Sequence, residues 1–552
     1  MTRAADTVLI NAAVYPLTGD PSSGGDPDEP EPEPVEALAI RDGEIARVDR
    51  EYEVEFLDGV ETEVIDCGGR VVLPGFIDAH THMEHLGQYL VHADLSSAES
   101  LDEAMDALSN QAEDDREWIL GFGYDESEWP ENRFPRASDL DAVSETRPVV
   151  AMRVDMHNAS LNSVALERLA EAMPDHDVET EGGDPTGVVV EEATEAVWDA
   201  IDADYEETRE LVTAAIDHAN ALGVTGVHDK VRHSHAPRAY RDLERAGELT
   251  CRVRLDYWSD HLESALETGL VTDAGSEFVQ TGAIKSFTDG TFGSRTAKVF
   301  EPYDDLPVGY DSGGNGTGGG GGANEGGDGN GSEGGDGRGQ WVVDPDELAE
   351  IATQATYEGD YQLTVHAIGD EAIEETISAF EATPNVESAR HRVEHLEFAS
   401  DDHLERMADP DIVASMQPNF LQWAQEGGMY DQRLGTERRR RLDRFRSVLE
   451  VGVPLAFGSD CMPLDPLAGI QYAVNAPVEA QRLSVTAALK AYTSGAAYAG
   501  FDEDRLGTLE RGKRADLVVL EDSPWEQPAR IDEIDVTLTM VDGEVVHDGR
   551  DR

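Results

Sequence analysis

Apolar residues along this chain fall into short runs rather than long stripes, and most runs end in a polar or charged residue. The clearest is Val71-Val72-Leu73-Pro74-Gly75-Phe76-Ile77-Asp78-Ala79-His80-Thr81-His82. Its length, its β-branched residues and the Gly/Pro kink predict a buried strand rather than a helix. Residues i and i+2 of a strand face the same way, so His80 and His82 should project together from its end. Further runs occupy 223–229, 250–258, 282–290, 362–370, 391–398, 412–419 and 454–460, mostly separated by helical stretches. Eight strands alternating with helices predict a parallel sheet closed into a (β/α)8 TIM barrel, an α/β fold. An open doubly wound sheet is disfavoured, because no Gly-x-Gly-x-x-Gly turn follows any strand.

The two ends read differently. Residues 7–16, 37–48 and 60–72 alternate as short strands around turns such as Arg41-Asp42-Gly43, and 516–520 and 536–546 do the same. The expected organisation is a small β-sandwich from 1–70 plus 505–552, and a barrel from 71–93 plus 205–504. An inserted α/β subdomain at 94–204 contains another strand, 147–157. Two tracts lack apolar content. Residues 22–34 are Gly, Pro and acidic, and 312–339 are mostly Gly. The first should be a solvated loop, and the second a disordered spacer after the fourth barrel strand.

Composition narrows the function. Lys+Arg number 42 against 115 Asp+Glu, a formal charge of −73 spread along the chain. Such charge self-repels at low ionic strength and suits a halophilic, counterion-rich setting. No basic stripe exists for nucleic acid. Cys67, Cys251 and Cys461 form no metal or redox pair, so a reduced cytoplasm is the expected setting. No signal-peptide pattern and no apolar stretch long enough to span a membrane are present. The expected partner is a small-molecule substrate, with no nucleic acid or membrane and a homodimer as the assembly.

Barrel enzymes build their sites at the C-terminal ends of the strands. The polar residues there are His80 and His82 on the first strand, Lys285 on the fourth, His366 on the fifth, His395 on the sixth and Asp460 on the eighth. Paired imidazoles on one strand face are half of a metal site. The 71–82 run, Gly458-Ser459-Asp460, Lys285-Ser286-Phe287-Thr288-Asp289-Gly290 and His366-Ala367-Ile368-Gly369-Asp370 together resemble the amidohydrolase superfamily, specifically amidohydrolase family 3. Gly121-Phe122-Gly123-Tyr124-Asp125, Asp155-Met156-His157 and the segment 507–518 extend the likeness over nearly the whole chain.

The resemblance implies a hydrolase cleaving a non-peptide carbon–nitrogen bond, with an N-acyl or N-formyl amide as substrate. A cyclic amidase or deaminase could use the same site, and a non-catalytic interaction module could keep the fold. It implies that His80, His82 and Asp460 hold one divalent ion and that His366 and His395 hold a second. Lys285, carboxylated by CO2, would bridge the two; a single ion is the alternative. The donor set favours Zn2+, and a metal of that kind activates water near neutral pH. Asp460 would act as general acid and base. Asp155, His157, Asp289 and Gly290 are candidate substrate contacts. Cys461 stands where relatives more often carry a smaller residue.

Overall fold

The computed structural model describes residues 3–19, 26–113, 116–154, 156–306 and 337–550. Asp155 and most of the 312–339 tract lie outside them. The eight barrel strands are β1 (Phe76–Thr81), β2 (Val224–Val231), β3 (Arg252–Trp258), β4 (Val279–Phe287), β5 (Leu363–Ala367), β6 (Arg392–His395), β7 (Val413–Met416) and β8 (Leu455–Phe457). They form one parallel sheet in sequence order. Each falls within or overlaps an apolar run of the sequence. The ends meet where the Asp460 amide donates to the His80 carbonyl at 2.7 Å and the Ser459 amide to the Asp78 carboxylate at 3.1 Å. Gly458 is required at this seam, since a Cβ there would sit 2.4 Å from the His80 nitrogen. The fold is a TIM barrel.

The run 71–82 proves to be two strands. Val71–Pro74 belongs to a five-stranded sheet with Leu517–Leu520, Val536–Val541, Glu544–Asp548 and Ala13–Val14, and β1 starts only after Gly75. The Gly75 amide still bonds the Asp516 carbonyl. Hydrophobic content alone cannot show a change of sheet, because both halves are buried. A four-stranded sheet of Thr7–Ile10, Ala37–Arg41, Glu44–Asp49 and Glu63–Asp66 packs against the five-stranded one through Leu9, Leu38, Ile40, Val72, Leu517 and Leu538.

Between β1 and β2 the chain builds a mixed six-stranded sheet, running from Ala93–Asp94 to Val178–Glu181. The stretch 147–157 supplies only Val149–Arg153 of it; the chain then turns into the antiparallel strand Asn158–Leu161. The described part of the 22–34 tract is a largely exposed loop, as expected, but it is tied down. Asp28 pairs with Arg446 at 2.6 Å and Glu29 with Lys490 at 2.8 Å, while the Pro27 and Pro30 carbonyls accept from Ser484 and Thr486. Its acidic side chains answer cations on the helices around β8, which composition does not reveal. Among the described residues no helix is long and apolar enough to cross a membrane.

Candidate metal centre

The six expected site residues come from β1 (His80), the cap of the helix that follows it (His82), β4, β5, β6 and the turn after β8. His80, His82 and Asp460 come together, with His80 Nε2 3.5 Å and His82 Nε2 3.3 Å from Asp460 Oδ1. Their potential ligand atoms all lie within 4.8 Å of one another. His395 bridges to the other side of the mouth, its ring centroid 4.9 Å from that of His80 and 4.4 Å from that of His366. Among the described residues His366 and His395 belong to no group of three or more potential ligand atoms as tight as that one. Asp460 at φ 54° and His395 at φ 69° both adopt left-handed backbone, which non-glycine residues seldom do outside constrained sites.

Lys285 is buried at 1 % exposure, its Nζ 4.6 Å from the centre of the Phe287 ring. Among the described residues no carboxylate lies at ion-pair distance from it. Burial pulls its ammonium down to about 8, against the attraction of Glu394 and with the help of Lys230. Burial likewise holds His80 and His366 well below the usual imidazole range and takes His395 to about 4. Burial opposes the charge of Asp460, yet the facing His80, His82 and His395 keep its carboxyl below the usual range. Burial thus favours the neutral form of His80, His366 and His395, beside an Asp460 carboxyl held in its ionised form.

Tautomers follow from the partners. His80 Nδ1 lies 2.5 Å from Glu394 Oε2, and a carboxylate accepts, so the lone pair of His80 is on Nε2 facing Asp460. His366 Nε2 donates to the Gly290 carbonyl at 3.1 Å, leaving its lone pair on Nδ1. His395 Nδ1 is buried and has no hydrogen-bond partner. An orphaned imidazole nitrogen beside two oriented ones is compatible with a divalent cation as its missing partner.

Sequence reasoning missed Glu394, which is fully buried one residue before His395. It pairs with Arg392 at 2.8 Å, lies 3.9 Å from Lys230 and accepts from the Thr364 hydroxyl. Lys230 and Arg392 also flank Asp256, at 2.5 and 3.6 Å. Two cations and two carboxylates therefore form a neutral layer beneath the mouth. The period-two pattern of β6, with Arg392 and Glu394 on one face, was the available signal.

The expected substrate contacts divide. The Asp289 carboxylate is taken up by the amides of Lys298, Ile368 and Gly369 at 2.7–3.1 Å, and burial raises its carboxyl to about 7. It ties the segments after β4 and β5 together, with Oδ1 3.6 Å from His366 Nε2. Gly290 offers its carbonyl to His366, and a Cβ there would strike Thr296. His157 lies in the turn between two strands of the inserted sheet, its carbonyl accepting from Thr194. Asp155 lies outside the described residues. Cys461 follows Asp460 as a free thiol that burial pushes well above its usual range.

Comparisons with known proteins agree with this architecture. The chain is 27 % identical over 580 residues to N-substituted formamide deformylase of Arthrobacter pascens, covering 98 % of each. It is 29 % identical to Protein LONG AFTER FAR-RED 3 of Arabidopsis thaliana, covering 93 % of this chain and 88 % of that one. An uncharacterized metal-dependent hydrolase from Pyrococcus furiosus superposes with a TM-score of 0.75 at 28 % identity, over 94 % of this chain and 99 % of that one. Residues 63–547 match the model of the amidohydrolase family. With that match over most of its length, on a barrel whose mouth gathers these histidines and Asp460, the chain belongs to the amidohydrolase family, hydrolases acting on carbon–nitrogen bonds.

Proposed function

We propose that the chain hydrolyses a non-peptide amide of a small molecule, an N-acyl or N-formyl amine, with a divalent cation, Zn2+ foremost, held at the barrel mouth. The observation that carries this is the convergence of His80 Nε2 and His82 Nε2 on Asp460 Oδ1, with burial favouring the neutral form of His80. The formamide deformylase relative supports the N-formyl end of that class. A bound divalent cation would activate water and polarise the scissile carbonyl. The chain's own groups do the rest. Glu394 fixes the His80 ring, and His366 is fixed by Gly290. The Asp460 carboxylate, kept ionised by its histidine neighbours, takes the proton of the attacking water and returns it to the leaving nitrogen.

Lys285 is the residue that decides between one ion and two. A neutral amine adds CO2 and releases a proton to give a carbamate, an anionic oxygen donor between the two histidine pairs. Its burial, its lowered pKa of about 8 and the lack of an ion-pair carboxylate support that reaction. A single ion is favoured by a different observation: His80, His82 and Asp460 are the only members of this mouth whose ligand atoms group tightly among the described residues.

The test is metal analysis of protein purified in molar KCl, followed by turnover of N-formyl and N-acetyl amines. Bound Zn2+ and amide turnover in the wild type, with turnover lost and metal retention weakened in Asp460→Asn, is the expected result. Loaded protein that hydrolyses none of these amides would refute the reading. Lys285→Ala should halve the metal content if two ions are present and leave it at one otherwise.

A further inference from the structure

Strand β7 supplies none of the six expected site residues, yet the segment after it touches both sides of the centre. That segment is the short 3-10 helix Pro418–Trp423. On one side the Phe420 ring lies nearly parallel to the His395 imidazole, 8° between planes and 5.8 Å between centroids. On the other, Asn419 reaches the turn after β8. Its Nδ2 donates to the Ser459 carbonyl at 2.8 Å and to the Met462 carbonyl at 2.8 Å. Those two carbonyls bracket Asp460 and Cys461.

The turn needs such bracketing. Asp460 and Cys461 stand at φ 54° and 51°, two left-handed non-glycine residues in a row. Backbone of that kind persists only where its surroundings over-determine it. On its entry side the turn is fixed by the barrel seam, through the His80 carbonyl and the Asp78 carboxylate. Within it, the Met462 amide closes on the Ser459 carbonyl at 3.2 Å and the Cys461 amide on the Ser459 hydroxyl at 3.1 Å. Asn419 spans both ends, and Gln422 adds one longer bond, 3.2 Å, to the Met462 carbonyl. Asn419 is 1 % exposed, and its Oδ1 has no hydrogen-bond partner. An unused buried acceptor is costly. The side chain is therefore matched to its place through its NH2 group alone, with both hydrogens spent on the ends of the Asp460 turn.

We propose that Asn419 is a positioning residue for Asp460, acting through the turn it spans to fix the direction in which the Asp460 carboxylate faces His80 and His82. The proposal rests on the metal-dependent amide-hydrolase reading, in which Asp460 is both ligand and proton carrier. The margins are narrow. Asp460 Oδ1 lies 3.5 Å from His80 Nε2 and 3.3 Å from His82 Nε2, and one carboxylate must serve both. Misplacing a reacting group by about 1 Å costs on the order of a hundredfold in turnover.

The experiment is a double-mutant cycle of Asn419→Leu with Asp460→Asn, read as Zn2+ retention under chelator competition in molar KCl, with turnover of an N-formyl amine measured beside it. Asn419→Leu, of similar size but without donors, should weaken retention by about tenfold or more, the scale for losing a group that orients a ligand. It should also lower kcat more than it raises KM. In the Asp460→Asn chain the same substitution should weaken retention little further, because the carboxylate it positions is gone. Asn419→Ser keeps one shorter donor and should fall between wild type and the leucine variant; it carries the cycle if Asn419→Leu does not fold. A general loosening of the barrel would weaken retention equally in both backgrounds, and that result overturns the proposal. Wild-type retention in Asn419→Leu overturns it too. A wild type that holds no Zn2+ overturns the metal centre and the proposal together. Zn2+ held without amide turnover overturns the substrate reading alone, and the retention cycle still decides the role of Asn419.

Discussion

At the scale of single residues, Glu394 shows what reading strand ends leaves out. His395, Lys285 and Asp460 stand out because each closes an apolar run. Glu394 sits one position earlier, and its partner His80 is 314 residues away. Only the fold supplies that contact. Glu394→Gln should weaken metal retention by about 10–100-fold, as loss of a ligand-orienting carboxylate does. It should also cost about 3–5 kcal/mol, because Asp256 alone is then left to balance the buried Arg392 and Lys230. Chelator competition and urea unfolding measure the two, and wild-type metal retention would show that His80 is oriented without the carboxylate. A second buried pair bears on pH. Burial raises the Asp443 carboxyl to about 8 and, with the charge of Asp443 next to it, that of Glu397 well above its usual value. Folding therefore takes up protons. The stability these groups contribute is full below the ordinary carboxylate pKa and is lost as pH rises through about 8. Asp443→Asn removes one of the two titrations, and asparagine tolerates the φ of 50° there. Its Tm relative to wild type should climb between pH 5 and 8; a pH-independent difference would place the proton elsewhere.

At the scale of elements, the barrel strands were legible because each is an apolar run bounded by turns, and the chain order of the runs is their order in the sheet. The break at Gly75 was not, since Leu73 and Phe76 are equally buried and differ only in which sheet they join. The structure makes that break testable. A Cβ on Gly75 would lie 2.3 Å from the Thr225 side chain of β2, so Gly75→Ala should cost about 1–3 kcal/mol as an overpacked core site. Thr225→Ala in the same chain should recover part of it, and denaturant midpoints of the two proteins would reveal no coupling if the clash is relieved elsewhere. The glycine tract gives an element-scale expectation too. The Tyr303 amide donates to the Gly337 carbonyl at 2.9 Å, so the flanks of the tract already meet. Replacing 312–336 with a short Gly/Ser linker should leave Tm nearly unchanged, because closure entropy grows only slowly with loop length. A large drop in kcat at unchanged Tm would assign the tract a part in turnover.

At the scale of the whole molecule, the formal charge of −73 sets the conditions under which the rest operates. Ion pairs such as Asp28 with Arg446 and Glu29 with Lys490 use up cations locally and leave most acidic residues facing one another through solvent. The screening length falls from ~10 Å at 0.1 M salt to ~3 Å at 1 M. Tm should therefore rise steadily from dilute buffer to molar KCl; equal midpoints at both ends would show that self-repulsion does not limit stability. The pairing of Leu73 with Val518 has a consequence of its own. On the ribosome, Val71–Pro74 emerges early, but the strand that covers it is made only near the other end of the chain. Until then this buried edge is an open template for pairing with another chain. The window between its synthesis and its burial is when the nascent protein is most exposed to aggregation, and a holding chaperone should be needed then rather than after release.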